Sequence, residues 1–286
     1  MTDFEFHRVA TNGITLHVAQ AGPRDGKLIV LLHGFPEFWY EWRRQIPALA
    51  AAGFRVWAPD QRGYNTSDKP LRVRDYRLDL LADDVAGLIA AAGRERAVVV
   101  GHDWGGAAAW WTAVRHPDRV ERLAILNVPH PVVMRHKLRT SPRQLLRSWY
   151  MFMFQLPWLP EWGARRGNWR DVVAKLRATS NPGSFTDADF DEYRAAWSRP
   201  GAYTAMLNWY RAMFRHGVTA PESIRIAAPT LLLWGVRDAF IGREAADESI
   251  ALCDRGELAF FDDATHWLPH DQPDEVNRRL VAFASG

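Results

Sequence analysis

Cysteine is nearly absent: Cys253 is the only one in the 286 residues, so no intrachain disulfide can form, and a reducing, cytoplasmic compartment is the expectation. Lysine is scarce as well, with four against 32 arginines, and no run of five basic residues occurs. The formal net charge is only +3, so the pI near 9.2 reflects a small surplus rather than a basic patch, and nucleic acid is not an expected partner. No stretch of 18 apolar residues is present, which excludes a conventional membrane-spanning helix. The opening Met1-Thr2-Asp3-Phe4-Glu5 lacks the basic-then-apolar pattern of a signal peptide. Internal repeats and low-complexity linkers are lacking too.

What remains is the composition of an ordinary globular protein, 48% apolar and 24% charged. One feature departs from it. There are 14 Trp and 14 Phe, and six of the Trp fall between residues 131 and 220, a concentration expected to line an apolar pocket.

Alternation around Thr11-Asn12-Gly13 predicts a β-hairpin from Phe4–Ala10 and Ile14–Ala21. Short apolar runs at Leu28–Leu32, Phe54–Ala58, Ala97–Val100 and Arg122–Val128 read as strands, most of them buried on both faces. Helical patterns lie between them at Trp39–Ala52, Asp79–Ala92 and Trp104–Arg115, each ended by Gly or Pro. The rhythm then stops. Residues 131–220 are helix-like and Pro-punctuated, after which Pro229–Trp234, Arg243–Leu252, Glu257–Phe261 and Pro273–Phe283 resume the alternation. The reading is an α/β chain: a mostly parallel, doubly wound sheet formed by residues 1–130 and 221–286, interrupted by a helical insertion over 131–220.

The sharpest motif is Val98-Val99-Val100-Gly101-His102-Asp103-Trp104-Gly105-Gly106. Its spacing is that of the G-x-S-x-G nucleophile elbow, with Asp in place of Ser. A side chain displayed at such a turn sits on strained backbone and needs small neighbours. The helix that follows points its positive end at the carboxylate. The plainer alternative is an Asp that caps a helix. A carboxylate nucleophile needs no base at neutral pH, and it suits displacement at an sp³ carbon, which gives an alkyl ester. Hydrolysis of that ester needs a water and a general base. Asp238, after Leu231-Leu232-Leu233-Trp234, and His266, after Glu257–Phe261, complete the order nucleophile, acid, histidine, each beyond the carboxyl end of a strand. His266 would activate the water and Asp238 would orient it. His266 and His270 stand four apart, but no Glu follows His266, so zinc is not indicated.

The loop His33-Gly34-Phe35-Pro36 is placed to supply an oxyanion donor, the Phe35 amide, beside that of Trp104. Pro36 is a candidate for a preceding cis bond.

The strings His33-Gly34-Phe35-Pro36-Glu37, Asp60-Gln61-Arg62-Gly63-Tyr64, Gly101-His102-Asp103-Trp104-Gly105-Gly106 and Asn127-Val128-Pro129-His130-Pro131 together resemble the soluble epoxide hydrolases of the α/β-hydrolase superfamily. The resemblance covers nearly the whole chain and implies an α/β-hydrolase fold whose insertion is a cap. It implies two cap tyrosines that protonate the epoxide oxygen; Tyr150 and Tyr210 stand at the matching positions. It implies an apolar epoxide and water as reactants, and no metal or organic cofactor. The apolar stretch around Tyr150 is short and Pro-broken, so pocket lining is expected there rather than stable membrane insertion.

The nearest rival is a haloalkane dehalogenase with the same Asp, His and Asp, but Phe35 stands where many of these carry a polar halide ligand. A fluoroacetate-type dehalogenase would place Arg after the nucleophile, where Trp104 stands. A ligand receptor that keeps the fold without turnover is the alternative from another class.

Overall fold

The computed structural model describes residues 4–219 and 221–286. Met1–Asp3 of the N-terminal reading and Ala220, the end of the expected insertion, lie outside them.

Eight strands among the described residues form one sheet: β1 (Glu5–Thr11), β2 (Ile14–Ala21), β3 (Leu28–Leu32), β4 (Arg55–Pro59), β5 (Ala97–His102), β6 (Val120–Leu126), β7 (Thr230–Gly235) and β8 (Gly256–Phe261). Their spatial order is β1-β2-β4-β3-β5-β6-β7-β8. Only the pairings of β2 are antiparallel; from β4 to β8 the neighbours run parallel. β3, β4, β5 and β7 are buried at every position, as expected where helices cover both faces.

Two strands, Ile14–Ala21 and Leu28–Leu32, have the bounds read from the sequence. The helix expected over Trp39–Ala52 is two elements, a 3-10 turn at Trp39–Arg44 and an α-helix at Gln45–Ala51. Pro47 explains the break. It has no N–H, so it is tolerated only in the first turn of a helix, and the α-helix starts just before it. β6 ends at Leu126, two residues earlier than expected, because Asn127 turns to φ +48° and leaves the strand.

Between β6 and β7 the described chain is helical, from Pro131–Thr140 through to the long Ala202–His216. Indole N–H groups tie this segment to the sheet loops: Trp197 donates to the Pro36 carbonyl and Trp209 to the Arg62 carbonyl at 2.9 Å. Arg211, itself paired with Glu161, donates to the carbonyls of Phe154 and Leu156 and fixes the inner stretch. The expectation that the insertion's large aromatics line a pocket holds in part, for Phe152 and Phe214 beside an inner cavity and for Trp158 and Trp162 beside a surface groove. Trp169, Trp197 and Trp209 are buried in the packing between helices and sheet, where their N–H groups find acceptors, while Trp149, Trp158 and Trp162 face solvent.

Candidate active site

Asp103 opens the helix Asp103–Arg115 at φ +48°, directly after β5. The turn is possible because its neighbours lack side chains. A Cβ on Gly105 would sit 2.1 Å from the Leu32 carbonyl oxygen, and one on Gly34 would sit 2.5 Å from the Asp103 Cβ. The glycines therefore bring the β3 loop and the elbow into van der Waals contact. That contact sets the Phe35 amide, which donates to Asp103 Oδ1 at 2.8 Å. The Phe35–Pro36 peptide is cis. Trp104 is in the first turn of the helix, where an amide has no intrahelical acceptor; its indole packs edge-on against Tyr210 at 5.0 Å.

Asp238 and His266 follow β7 and β8. His266 Nδ1 lies 2.7 Å from Asp238 Oδ2, and Nε2 lies 3.5 Å from Asp103 Oδ2. The three residues are thus brought together as the chain order implied. Asp238 is itself clamped: Oδ1 accepts from the Phe240 and Ile241 amides at 2.7 and 2.9 Å.

Sequence reasoning gave no role to Asn127. Its Nδ2 donates to Asp238 Oδ2 at 2.9 Å, and its Oδ1 accepts the Gly235 amide at 2.9 Å. The side chain thus spans β6 and β7 and holds the acid. An Asn directly after a buried strand was the signal available, because Asn tolerates the left-handed backbone found there.

A second buried group lies behind the elbow. His102 Nε2 meets the His266 carbonyl oxygen at 2.9 Å, and its Nδ1 is 2.9 Å from Glu41 Oε1. Glu41 Oε2 in turn accepts the Gly34 amide at 2.7 Å. His270, which the zinc argument set aside, meets Glu37 Oε1 at 2.7 Å, and Tyr193 donates to the same oxygen. Burial, then the Glu37 charge, pushes the Glu41 carboxyl well above its ordinary range. Burial acts the same way on Glu37, but His270 overcomes it and holds that carboxyl at about 2. Through His102, Glu41 links the Gly34 loop to the backbone of His266.

Burial alone would hold the His266 imidazole low. The Asp238 charge and the hydrogen bonds to Asp103 and Asp238 overcome it and push it up to about 10. Asp103 is held below the ordinary carboxylate range: burial opposes this, but the hydrogen bond and charge of His266 and the Phe35 amide prevail. At neutral pH the site is an imidazolium between two carboxylates.

Above Asp103 is a cavity of about 400 Å³. Asp103 and Trp104 form part of one wall, and Tyr150, Phe152, Tyr210 and Phe214 part of the other. The Tyr150 and Tyr210 rings meet edge to face at 6.1 Å. Burial raises both phenols well above 10, the negative charge of Asp103 adding to it, so both remain protonated. The arrangement sets a carboxylate, a histidine paired with a second carboxylate, and two neutral phenol hydroxyls around one apolar space.

A family model described as alpha/beta hydrolase fold matches residues 27–273. The chain belongs to the α/β-hydrolase-fold family and, within it, to the branch that holds the epoxide hydrolases. It is 48% identical to the AB hydrolase superfamily protein YfhM of Bacillus subtilis, over 96% of each chain. It is 37% identical to human epoxide hydrolase 4, over 96% of this chain and 77% of that one. Among solved structures, an inhibitor complex of the Bacillus megaterium epoxide hydrolase superposes with a TM-score of 0.88 at 30% identity, covering 98% of this chain and all of the other.

Proposed function

We propose that the protein is an epoxide hydrolase that converts an apolar epoxide and water to a vicinal diol through an ester on Asp103. One observation carries the reading: a carboxylate whose Oδ1 is held by the Phe35 amide faces, across a single cavity, two phenols that are neutral at working pH. The names of the relatives support it.

With Oδ1 engaged, Oδ2 attacks an epoxide carbon. The C–O bond breaks, and Tyr150 and Tyr210 direct a proton to the departing oxygen. Esterification removes the Asp103 charge. His266, protonated because it lay between two carboxylates, then loses one of them and gives up the proton that the new hydroxyl group has gained. Neutral His266, oriented by Asp238 and Asn127, takes a proton from water, and the hydroxide adds to the ester carbon. Oδ1 is now the carbonyl oxygen and develops the negative charge toward the Phe35 amide, with the Trp104 amide beside it as the second donor. Collapse releases the diol and restores the Asp103 carboxylate and the imidazolium, so protons balance over the cycle. A general base of this kind is worth about 10²–10⁴-fold.

On this reading residues 131–220 form a cap over a core of residues 1–130 and 221–286. The cytoplasm is the proposed compartment, in keeping with a single, buried cysteine.

The test is intact-protein mass spectrometry of His266→Gln after incubation with an aryl epoxide and, separately, a haloalkane. A gain equal to the whole epoxide, absent when Asp103 is also Ala, is the expected result. A gain equal to the alkyl group without halogen would make the enzyme a dehalogenase.

A further inference from the structure

We propose that the outer face of the insertion is a docking surface for anionic phospholipid membranes, set so that an apolar epoxide passes from the bilayer to the cavity. The inference rests on the epoxide reading for its purpose but not for its test.

Large apolar side chains exposed to solvent are concentrated here. Among the described residues nearly all of them fall between Leu145 and Trp162 or at Phe214. Trp149 is 59% exposed, Trp158 69% and Trp162 53%. Buried tryptophan is easily explained; three exposed ones on a single segment are not, and contiguous apolar surface of this kind marks an interaction site. The patch is continuous. The Phe152 and Phe214 rings meet at 5.2 Å, Arg215 reaches back to the Gln155 carbonyl, and Pro157, Trp158, Trp162 and Arg215 line one surface groove of about 750 Å³.

Charge selects the occupant. Residues 131–170 hold eight basic residues and one acidic, a net of +7 in a chain whose total is +3, so the remainder sums to −4. The acid, Glu161, is buried against Arg211. Among the described residues Arg135, Arg139, Arg143, Arg147, Arg165 and Arg166 form no ion pair with a carboxylate, and all but the half-buried Arg147 are exposed. A second copy of the chain would bring these six unpaired arginines against the same six in a two-fold contact. An anionic bilayer offers what the face lacks: negative charge for the arginines and an apolar boundary at the headgroup level where Trp is favoured. The contact lies on the surface, since no helix among the described residues is long and apolar enough to cross a membrane. Position supplies the last link. Arg135, Arg139, Phe152 and Phe214 belong to the cavity that contains Asp103 as well as to this face, so the mouth opens at the edge of the patch.

The experiment is co-sedimentation of the full chain with vesicles of phosphatidylcholine containing one quarter phosphatidylserine, and with vesicles of phosphatidylcholine alone. Turnover of a water-soluble aryl epoxide is measured in parallel. Binding to the anionic vesicles is expected, about tenfold weaker on neutral ones and again weaker at about 0.5 M salt, where screening is short-ranged. Trp158→Ser with Trp162→Ser, and Arg165→Glu with Arg166→Glu, should each abolish it and leave turnover of the soluble epoxide unchanged, which also certifies folding. Vesicle binding without turnover would uphold the surface and break the epoxide reading. Turnover with no vesicle binding overturns the surface. A dimer in light scattering that the double Trp variant dissolves, or retention on polyglutamate with none on vesicles, gives the face to a second copy or to an acidic protein and overturns it as well.

Discussion

The two walls of the cavity are built by different physics. On the sheet side, position is enforced by backbone: Gly105 and Gly34 allow contacts that no Cβ would fit, and Asp103, Asp238 and His266 each have named hydrogen-bond or ionic partners. On the insertion side, Tyr150 and Tyr210 are held mainly by edge-on aromatic packing with Phe154 and Trp104. Hydrogen bonds fix angle and distance within narrow limits, whereas aromatic contacts tolerate a range of offsets at similar energy. Asp103, Asp238 and His266 are thus anchored on a rigid floor, and the shape of the space above them is set by a more adaptable roof.

The contrast can be broken by mutation, and the effects should fall in order. Asp103→Ala should remove turnover by at least about 10⁴-fold, as loss of a nucleophile does, while far-ultraviolet circular dichroism stays that of the parent. Tyr150→Phe with Tyr210→Phe should come next, at about 10²–10⁴-fold on ester formation, and stopped-flow measurement should leave the hydrolysis step near its parent rate. Equal loss in both steps would show that the roof also shapes the floor. Asn127→Ala leaves Asp238 its two backbone donors and His266, so a fall in kcat of about tenfold is expected with KM little changed; rescue by Asn127→Asp is not expected, since a second carboxylate would face Asp238.

The smallest effect is on stability against pH. The His266 imidazole is raised to about 10 in the folded protein against about 6.5 when unfolded. The stability it contributes is complete below pH about 6.5 and is lost as pH rises through about 10, because the unfolded chain releases its proton first. The melting temperature should therefore fall over that window, and the slope should be shallower in His266→Gln. An unchanged slope would show that the imidazolium is not held by its two carboxylates.

Much of the floor was legible before any coordinates. A glycine-flanked Asp at a strand-to-helix turn, followed by Asp238 and His266 after later strands, has few structural meanings, and the period of each segment announces its type. Glu41 and Asn127 were not legible. Both act through partners remote in sequence, His102 for Glu41 and Gly235 with Asp238 for Asn127, and no local pattern encodes those meetings. The insertion was read as helical and aromatic; Tyr150 and Tyr210 do line the cavity, but the division of the tryptophans between buried packing and exposed surface was not legible.

By itself, then, the chain determined the alternation of strands and helices, the interruption after β6 and the residue types at the elbow, since periodicity and glycine placement are local properties. Only the tertiary structure decided which tryptophans are buried, that Glu37 and Glu41 are shifted in opposite directions, and how far the His266 imidazolium is stabilised. Those outcomes depend on burial and on distances between charges, and both are set when distant segments pack together.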